Sequence, residues 1–255
     1  MLALSRTLVD VRTGRDRRPS DADAATYNRG MDEPNVGVSF RDLTLGQFVD
    51  AVASAAPVPG GGSASAVVAS IGSGLVTMVA ALSEGREKYA AHAALHEQSQ
   101  MIGHRLAAQF LALADEDSDA YAGFAAAMKM PRDSDDERRA RKLALSLAAK
   151  RAAEVPLRTV EACLGLVAAA ESLVGRSNVN ASSDLDVATL LGEAAARGAA
   201  ANVLINLPSV DDDSFSGEAT ARVMGLLSSI DEIVATVHAG VRSGETRTPL
   251  ESSPE

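Results

Sequence analysis

LAAQFLALADEDSDAYAGFAAAM, residues 106–128, sets Leu106, Phe110, Leu113, Asp117, Tyr121, Phe124 and Met128 three or four positions apart. That spacing puts all seven on one face of a helix. Alanine fills much of the space between them, and alanine is the strongest helix former. The stretch therefore reads as the later part of one long helix over about residues 89–128, ended by Pro131. Toward the C-terminus, Ser134 and Glu137 make a capping box for the next helix, expected to reach Glu154. Pro156 is expected to kink or restart it, and a following helix runs to Val174, closed by Gly175. Residues 178–182 read as a turn. Ser182 or Ser183 is expected to cap a helix that continues to Asn206 and is ended by Pro208. Residues 208–217 read as a polar loop before a last helix over about 218–241.

Working back from the long helix, Thr44 and Gln47 form another capping box, with Leu43 and Phe48 placed as a hydrophobic staple. That helix ends before Pro57, a loop covers residues 57–62, and Ser63 opens a helix to about Ser83. No useful alternating pattern and no internal repeat appear. The expected fold is all-α, a single-domain multi-helix bundle with long antiparallel helices over residues 39–243. A disordered tail is expected over 1–38, with Met31 as a possible natural start, and a frayed tail over 244–255.

The composition agrees. Hydrophobic residues make up 46% of the 255, but aromatics only 3%, with no Trp, so the core is aliphatic and small. The net charge of −10 repels nucleic acid, and no dense basic stripe overrides it. One cysteine, Cys163, excludes an internal disulfide, and its apolar neighbours suit an inert core thiol. No run is expected to span a membrane, and no apolar signal-peptide core follows the N-terminal arginines, so a cytoplasmic protein is expected. His92, His96, His104 and His238 have no convincing ligand spacing, so no metal site and no tightly bound cofactor are expected.

Several residues break the pattern around them. Asp117 lies within an apolar stripe, where burial raises a carboxyl's pKa unless a cation or donors compensate. That environment suits a general acid or base; the other reading is a structural carboxylate, salt-bridged or capping a neighbouring helix. Asp115 and Asp119 flank it on faces expected to be solvated. Gly60, Gly61, Gly62 and Ser63 leave backbone N–H groups free at a helix start, either to hold an anion or carbonyl or as a plain connector. Asn202 and Asn206, four apart on an apolar helix, either bond a heterocycle's edge or fasten the helix to a carbonyl. Asp184 sits in a first helical turn, where the dipole alone can account for it. Lys88 and Lys150 are candidate anion contacts.

These positions coincide with motifs of a known family. Residues 56–66, Ala-Pro-Val-Pro-Gly-Gly-Gly-Ser-Ala-Ser-Ala, resemble the proline-triglycine-serine opening of the cyclodeaminase/cyclohydrolase family. That family includes the C-terminal domain of formiminotransferase-cyclodeaminase and free-standing methenyltetrahydrofolate cyclohydrolases. Asp115–Tyr121 is similar to its Asp-x-Asp segment, Val155-Pro156-Leu157 to its mid-chain motif, and Asn178–Leu185 and Asn202–Leu207 to its two late motifs. The resemblance spans about residues 40–240, in order.

The resemblance implies an all-helical fold, a homodimer and a tetrahydrofolate substrate, with the family's catalytic aspartate at Asp117. Gly60, Gly61, Gly62, Ser63, Lys88, Lys150, Asp184, Asn202 and Asn206 are the substrate-binding candidates. The expected reaction is hydrolysis of 5,10-methenyltetrahydrofolate to 10-formyltetrahydrofolate in one-carbon metabolism. The alternatives are a formimidoyltetrahydrofolate cyclodeaminase that releases ammonia, and a non-catalytic helical folate-binding or scaffold protein. The small-residue stretches Gly72-Ser73-Gly74 and Ala194–Ala200 are the expected dimer faces.

Overall fold

The structure, a computed structural model, describes residues 39–250. Six α-helices make up the described residues: α1 (Leu45–Val52), α2 (Gly61–Ala81), α3 (Ala93–Met128), α4 (Asp135–Leu173), α5 (Ser182–Asn206) and α6 (Asp213–Ser243). Short 3-10 segments precede or join some of them, and no strand occurs among the described residues. The fold class is all-α, as the helical periodicity implied. The N-terminal tail, Met31 and residues 251–255 lie outside the described residues.

Both capping boxes form. The Gln47 N–H donates to Thr44 Oγ1 at 3.2 Å while Gln47 Oε1 accepts from the Thr44 N–H at 2.8 Å. Ser134 and Glu137 repeat the arrangement at the head of α4. Gly175, with φ +72°, closes α4 in the left-handed region where glycine carries no Cβ penalty.

Four local expectations change. First, α4 runs unbroken through Pro156. Proline has no N–H for the Ala152 carbonyl, and Asn206 Nδ2 donates to that carbonyl instead, at 3.0 Å. Second, neither Ser182 nor Ser183 caps α5. The 3-10 turn Val179–Ala181 runs straight into the helix, leaving Ala181 at the cap without a side-chain bond. Third, α6 starts inside the expected polar loop, because Asp212 accepts from the Phe215 N–H at 3.0 Å and caps it. Fourth, residues 244–248 are tied down: the Arg247 N–H donates to the Gly175 carbonyl at 2.9 Å, and Arg176 Nε to the Thr248 carbonyl at 2.7 Å.

Successive long helices pack antiparallel. Glycines set the closest approaches. A Cβ on Gly103 of α3 would lie 2.9 Å from the Ser73 carbonyl of α2, and one on Gly72 of α2 would lie 3.0 Å from the Ala188 carbonyl of α5. Ion pairs mark the other registers, Glu116 with Arg158 between α3 and α4 and Asp231 with Arg197 between α6 and α5. The core is mostly aliphatic, with Leu113, Leu166, Leu173, Leu185 and Ile230 packed around residues such as Phe110. Cys163 is buried within it, and burial pushes its thiol up to about 12.

Helix α2 is long and apolar enough, by length and composition, to cross a membrane, which the reading of the sequence did not anticipate. Here it is a packed helix, with Ala66, Ala69, Val76, Val79 and Ala80 in the core. The small-residue stretches prove mostly internal. Gly72, Ser73, Ala195, Ala196, Ala199 and Ala200 are buried within the subunit, where they let α2 and α5 approach closely.

The antiparallel order gives the bundle two poles. One gathers the start of α2, the later half of α3, the middle of α4, the end of α5 and the start of α6. The other gathers Ser83, Tyr89, His96, Arg176 and Asn178, where Ser83 Oγ accepts from the Asn178 N–H and His96 Nε2 meets the Arg176 carbonyl at 2.8 Å.

Candidate active site

The apolar stripe on α3 buries fully only in its first half. Leu106, Phe110 and Leu113 are in the core, whereas Tyr121 and Met128 are exposed. Asp117 sits where the buried run gives way to the exposed one, and is itself half-buried.

Its carboxylate presses on the first turn of α2. A Cβ on Gly62 would lie 2.6 Å from Asp117 Cγ, so only glycine admits the carboxylate at this place. Ser63, fully buried, donates from Oγ to Asp117 Oδ2 at 2.9 Å. Burial pushes the Asp117 carboxyl above the ordinary carboxylate range, and the Ser63 hydroxyl and backbone N–H act against that rise. No ion pair to Asp117 occurs among the described residues. A carboxyl so placed, with donors and with no ion pair among the described residues, is suited both to take and to give a proton.

Gly60 is the N-cap of α2 and makes no side-chain cap bond, so the first-turn N–H groups and the positive end of the helix dipole lie beside Asp117. Asn202 approaches the same turn: a Cβ on Gly61 would lie 3.6 Å from its Nδ2, which also donates to the Gly198 carbonyl at 2.9 Å. The structure thus brings Gly60, Gly61, Gly62, Ser63, Asp117 and Asn202 together.

The remaining candidates divide. Asn206 is at this pole, but its amide is spent on the Ala152 and Asn202 carbonyls, so it fastens α5 to α4. Lys150 is also here. Its Nζ lies 3.1 Å from Asp212 Oδ2 and 4.6 Å from the centre of the Phe215 ring, which makes it a clamp on the head of α6. Lys88 and Asp184 belong to the opposite pole. Lys88 precedes α3 and lies over the Tyr89 ring, about 36 Å along the helix from Asp117 at 1.5 Å per residue. Asp184 lies about 27 Å along α5 from Asn202 by the same rise. Neither reaches Asp117 within one subunit.

Two residues carry more than their sequence suggested. Asp115, expected to be solvated, is half-buried and accepts from Ser39 Oγ at 2.6 Å and the Phe40 N–H at 2.8 Å, so it anchors the chain entering α1. Ser118 places its Oγ 3.4 Å from that of Ser63. The only sequence signal for either was adjacency to Asp117. Asp119 is exposed, as expected. No three His, Cys, Asp or Glu side chains gather in a metal-binding group among the described residues.

Comparison with known proteins places this geometry in a family. The family profile described as formiminotransferase-cyclodeaminase matches residues 44–224. A methenyltetrahydrofolate cyclohydrolase of Methylorubrum extorquens is 32% identical over 200 residues, which cover 78% of this chain and 96% of that protein. A formimidoyltransferase-cyclodeaminase of Rattus norvegicus is 34% identical over 204 residues, but the match spans only 37% of its length. The crystal structure of a formiminotetrahydrofolate cyclodeaminase from Thermotoga maritima superposes with a TM-score of 0.73 at 27% identity, covering 80% of this chain and 98% of that one. The match of its profile across most of the bundle, and of a full-length relative, shows that the chain belongs to the formiminotransferase-cyclodeaminase family.

Proposed function

We propose that this chain is a methenyltetrahydrofolate cyclohydrolase, converting 5,10-methenyltetrahydrofolate to 10-formyltetrahydrofolate. The observation that carries the reading is Asp117, a carboxyl held by Ser63, seated against Gly62 and given no cation among the described residues. A cationic substrate supplies the missing charge. The near full-length match to a cyclohydrolase supports the same reaction.

The substrate's one-carbon bridge is an amidinium cation. Ionised Asp117 attracts it and takes a proton from water as the water oxygen bonds to the bridge carbon. The C–N bond to the departing ring nitrogen then breaks with its electron pair on nitrogen, and Asp117 returns the proton there. The hydroxyl proton of the intermediate leaves to solvent, so a cation becomes a neutral formamide with one proton released. A carboxyl with a raised pKa serves as base and then as acid. The first-turn N–H groups of α2 and the Asn202 amide are the polar contacts offered to substrate.

The cyclodeaminase reading is favoured by the fold neighbour, a formiminotetrahydrofolate cyclodeaminase. There the substrate's own nitrogen attacks the bridge carbon and ammonia leaves. Loss of methenyl absorbance in the near ultraviolet, with 10-formyltetrahydrofolate as product, supports the hydrolase. Ammonia from formimidoyltetrahydrofolate without methenyl hydrolysis supports the deaminase. Tight folate binding with neither reaction supports a binding protein.

The proposal includes a cytoplasmic homodimer. Exposed Ile71 and Met78 on α2 and Val187 and Leu190 on α5 support the dimer. These two helices run antiparallel, with Gly72 against Ala188, so the four side chains fall at matching levels of one outward apolar face.

A further inference from the structure

Ser63 carries one hydroxyl hydrogen and has two acceptors within reach. Asp117 Oδ2 lies 2.9 Å from its Oγ and the Ala114 carbonyl 3.2 Å away. A hydroxyl donates once and accepts through two lone pairs. Its one hydrogen can make a well-aligned bond to only one of the two at a time. The Ala114 carbonyl lies one turn before Asp117 on α3, so both acceptors sit on the same rigid element.

Two complete hydrogen-bond arrangements follow. With Asp117 ionised, the Ser63 hydrogen points to the carboxylate in a charge-assisted bond. With Asp117 protonated, the carboxyl O–H donates to Ser63 Oγ, and the Ser63 hydrogen turns to the Ala114 carbonyl. Neither arrangement requires a heavy atom to move, and Ser63 Oγ and Asp117 Oδ2 are paired in both. We infer that Ser63 is a positioning residue that supports Asp117 in both of its protonation states, its hydroxyl hydrogen turning between the carboxylate and the Ala114 carbonyl as the proton comes and goes. This rests on the acid–base reading of Asp117 and adds a means by which one carboxyl keeps its position through a cycle that both takes and gives a proton. Ser118, with its Oγ 3.4 Å from that of Ser63, is the next hydroxyl in line.

Among the described residues, the charges next to Asp117 on its own helix are held elsewhere or exposed. Residues 61–81 of α2 contain no charged side chain. On α3, Asp115 is held by Ser39 and Phe40, Glu116 pairs with Arg158 of α4, and Asp119 is exposed. From α5 the neighbour is the neutral Asn202 amide. Burial, the Ser63 hydroxyl and the Ser63 N–H set where Asp117 titrates.

The test compares the full chain with Ser63→Ala and Ser63→Thr. The Asp117 carboxyl is followed by carbon-13 NMR without substrate, its signal assigned by its absence in Asp117→Asn. Removing the hydroxyl takes a donor from the ionised form, so the titration of Ser63→Ala moves to higher pH. Its kcat for methenyltetrahydrofolate falls roughly tenfold, the scale for outer partners of a functional group, with KM unchanged and the acid limb of the rate profile shifted the same way. Ser63→Thr restores the titration. Should the added methyl unfold that variant, Ser63→Cys, a weaker donor of similar size, gives an intermediate position. A titration in Ser63→Ala that coincides with wild type overturns the inference, as does a folded Ser63→Thr that behaves like Ala. The two readings fail separately. Titrations that move as described in a chain without turnover refute the proposed reaction and leave the Ser63 role standing. Turnover that needs Asp117 while the titration stays put does the reverse.

Discussion

Gly62→Ala would set a methyl 2.6 Å from Asp117 Cγ, and the carboxylate has to move away from α2. A shift of about 1 Å at a reacting group can cost 10²-fold in rate. The variant is expected to fold and to lose about that factor in kcat/KM, measured by steady-state assay. Asp117 also leaves a signature in stability. Its folded pKa is raised, chiefly by burial. Below the unfolded value both states are protonated and the group has no effect. As pH rises from the unfolded value to the folded one, the unfolded chain ionises first, so the folded state loses stability across that window and the loss levels off above it. Asp117→Asn should therefore melt above wild type at neutral pH, with the gap closing as the pH falls toward the unfolded carboxylate range. A calorimetric series over pH checks this. An equal gap at every pH would mean that burial of the charge is not its source.

At the scale of elements, Pro156 and Asn206 act as one feature. The proline removes a donor from the interior of α4, and the amide from α5 replaces it at the Ala152 carbonyl. Asn206→Ala leaves that carbonyl without its donor and should lower stability by about 1–3 kcal/mol. Urea unfolding measures it, and an unchanged midpoint would show that water takes over the bond. This pairing also marks what the chain's sequence could convey. The Val155-Pro156-Leu157 and Asn202–Asn206 motifs were both visible, but their contact joins residues more than fifty positions apart, and a proline alone reads as a break. The start of α6 was hidden for a similar reason. Asp212 is one of three consecutive aspartates, and only its bond to the Phe215 N–H tells which one caps.

For the whole molecule, the antiparallel order of the helices decides which motifs meet. Gly60–Ser63, Asp117 and Asn202 converge because α2, α3 and α5 bring those ends to one pole. Lys88 and Asp184 go to the other, and the rise of α3 and α5 keeps them there. Local patterns in the sequence identify unusual residues but carry no pole. The small-residue stretches illustrate the same limit: a glycine- and alanine-rich face packs equally well inside a subunit or between two, and here most of it is inside. The proposed dimer therefore rests on Ile71, Met78, Val187 and Leu190. Ile71→Asp is expected to convert a two-chain mass into a one-chain mass in light scattering with size exclusion. A wild-type protein that already runs as one chain would refute the dimer. The central claim is that Asp117 moves the proton in hydrolysis of a folate one-carbon bridge, and the most direct measurement is turnover of 5,10-methenyltetrahydrofolate by wild type and Asp117→Asn at equal fold content. The account predicts conversion to 10-formyltetrahydrofolate by wild type and a loss of at least about 10²-fold in the variant; turnover by Asp117→Asn close to that of wild type would contradict it.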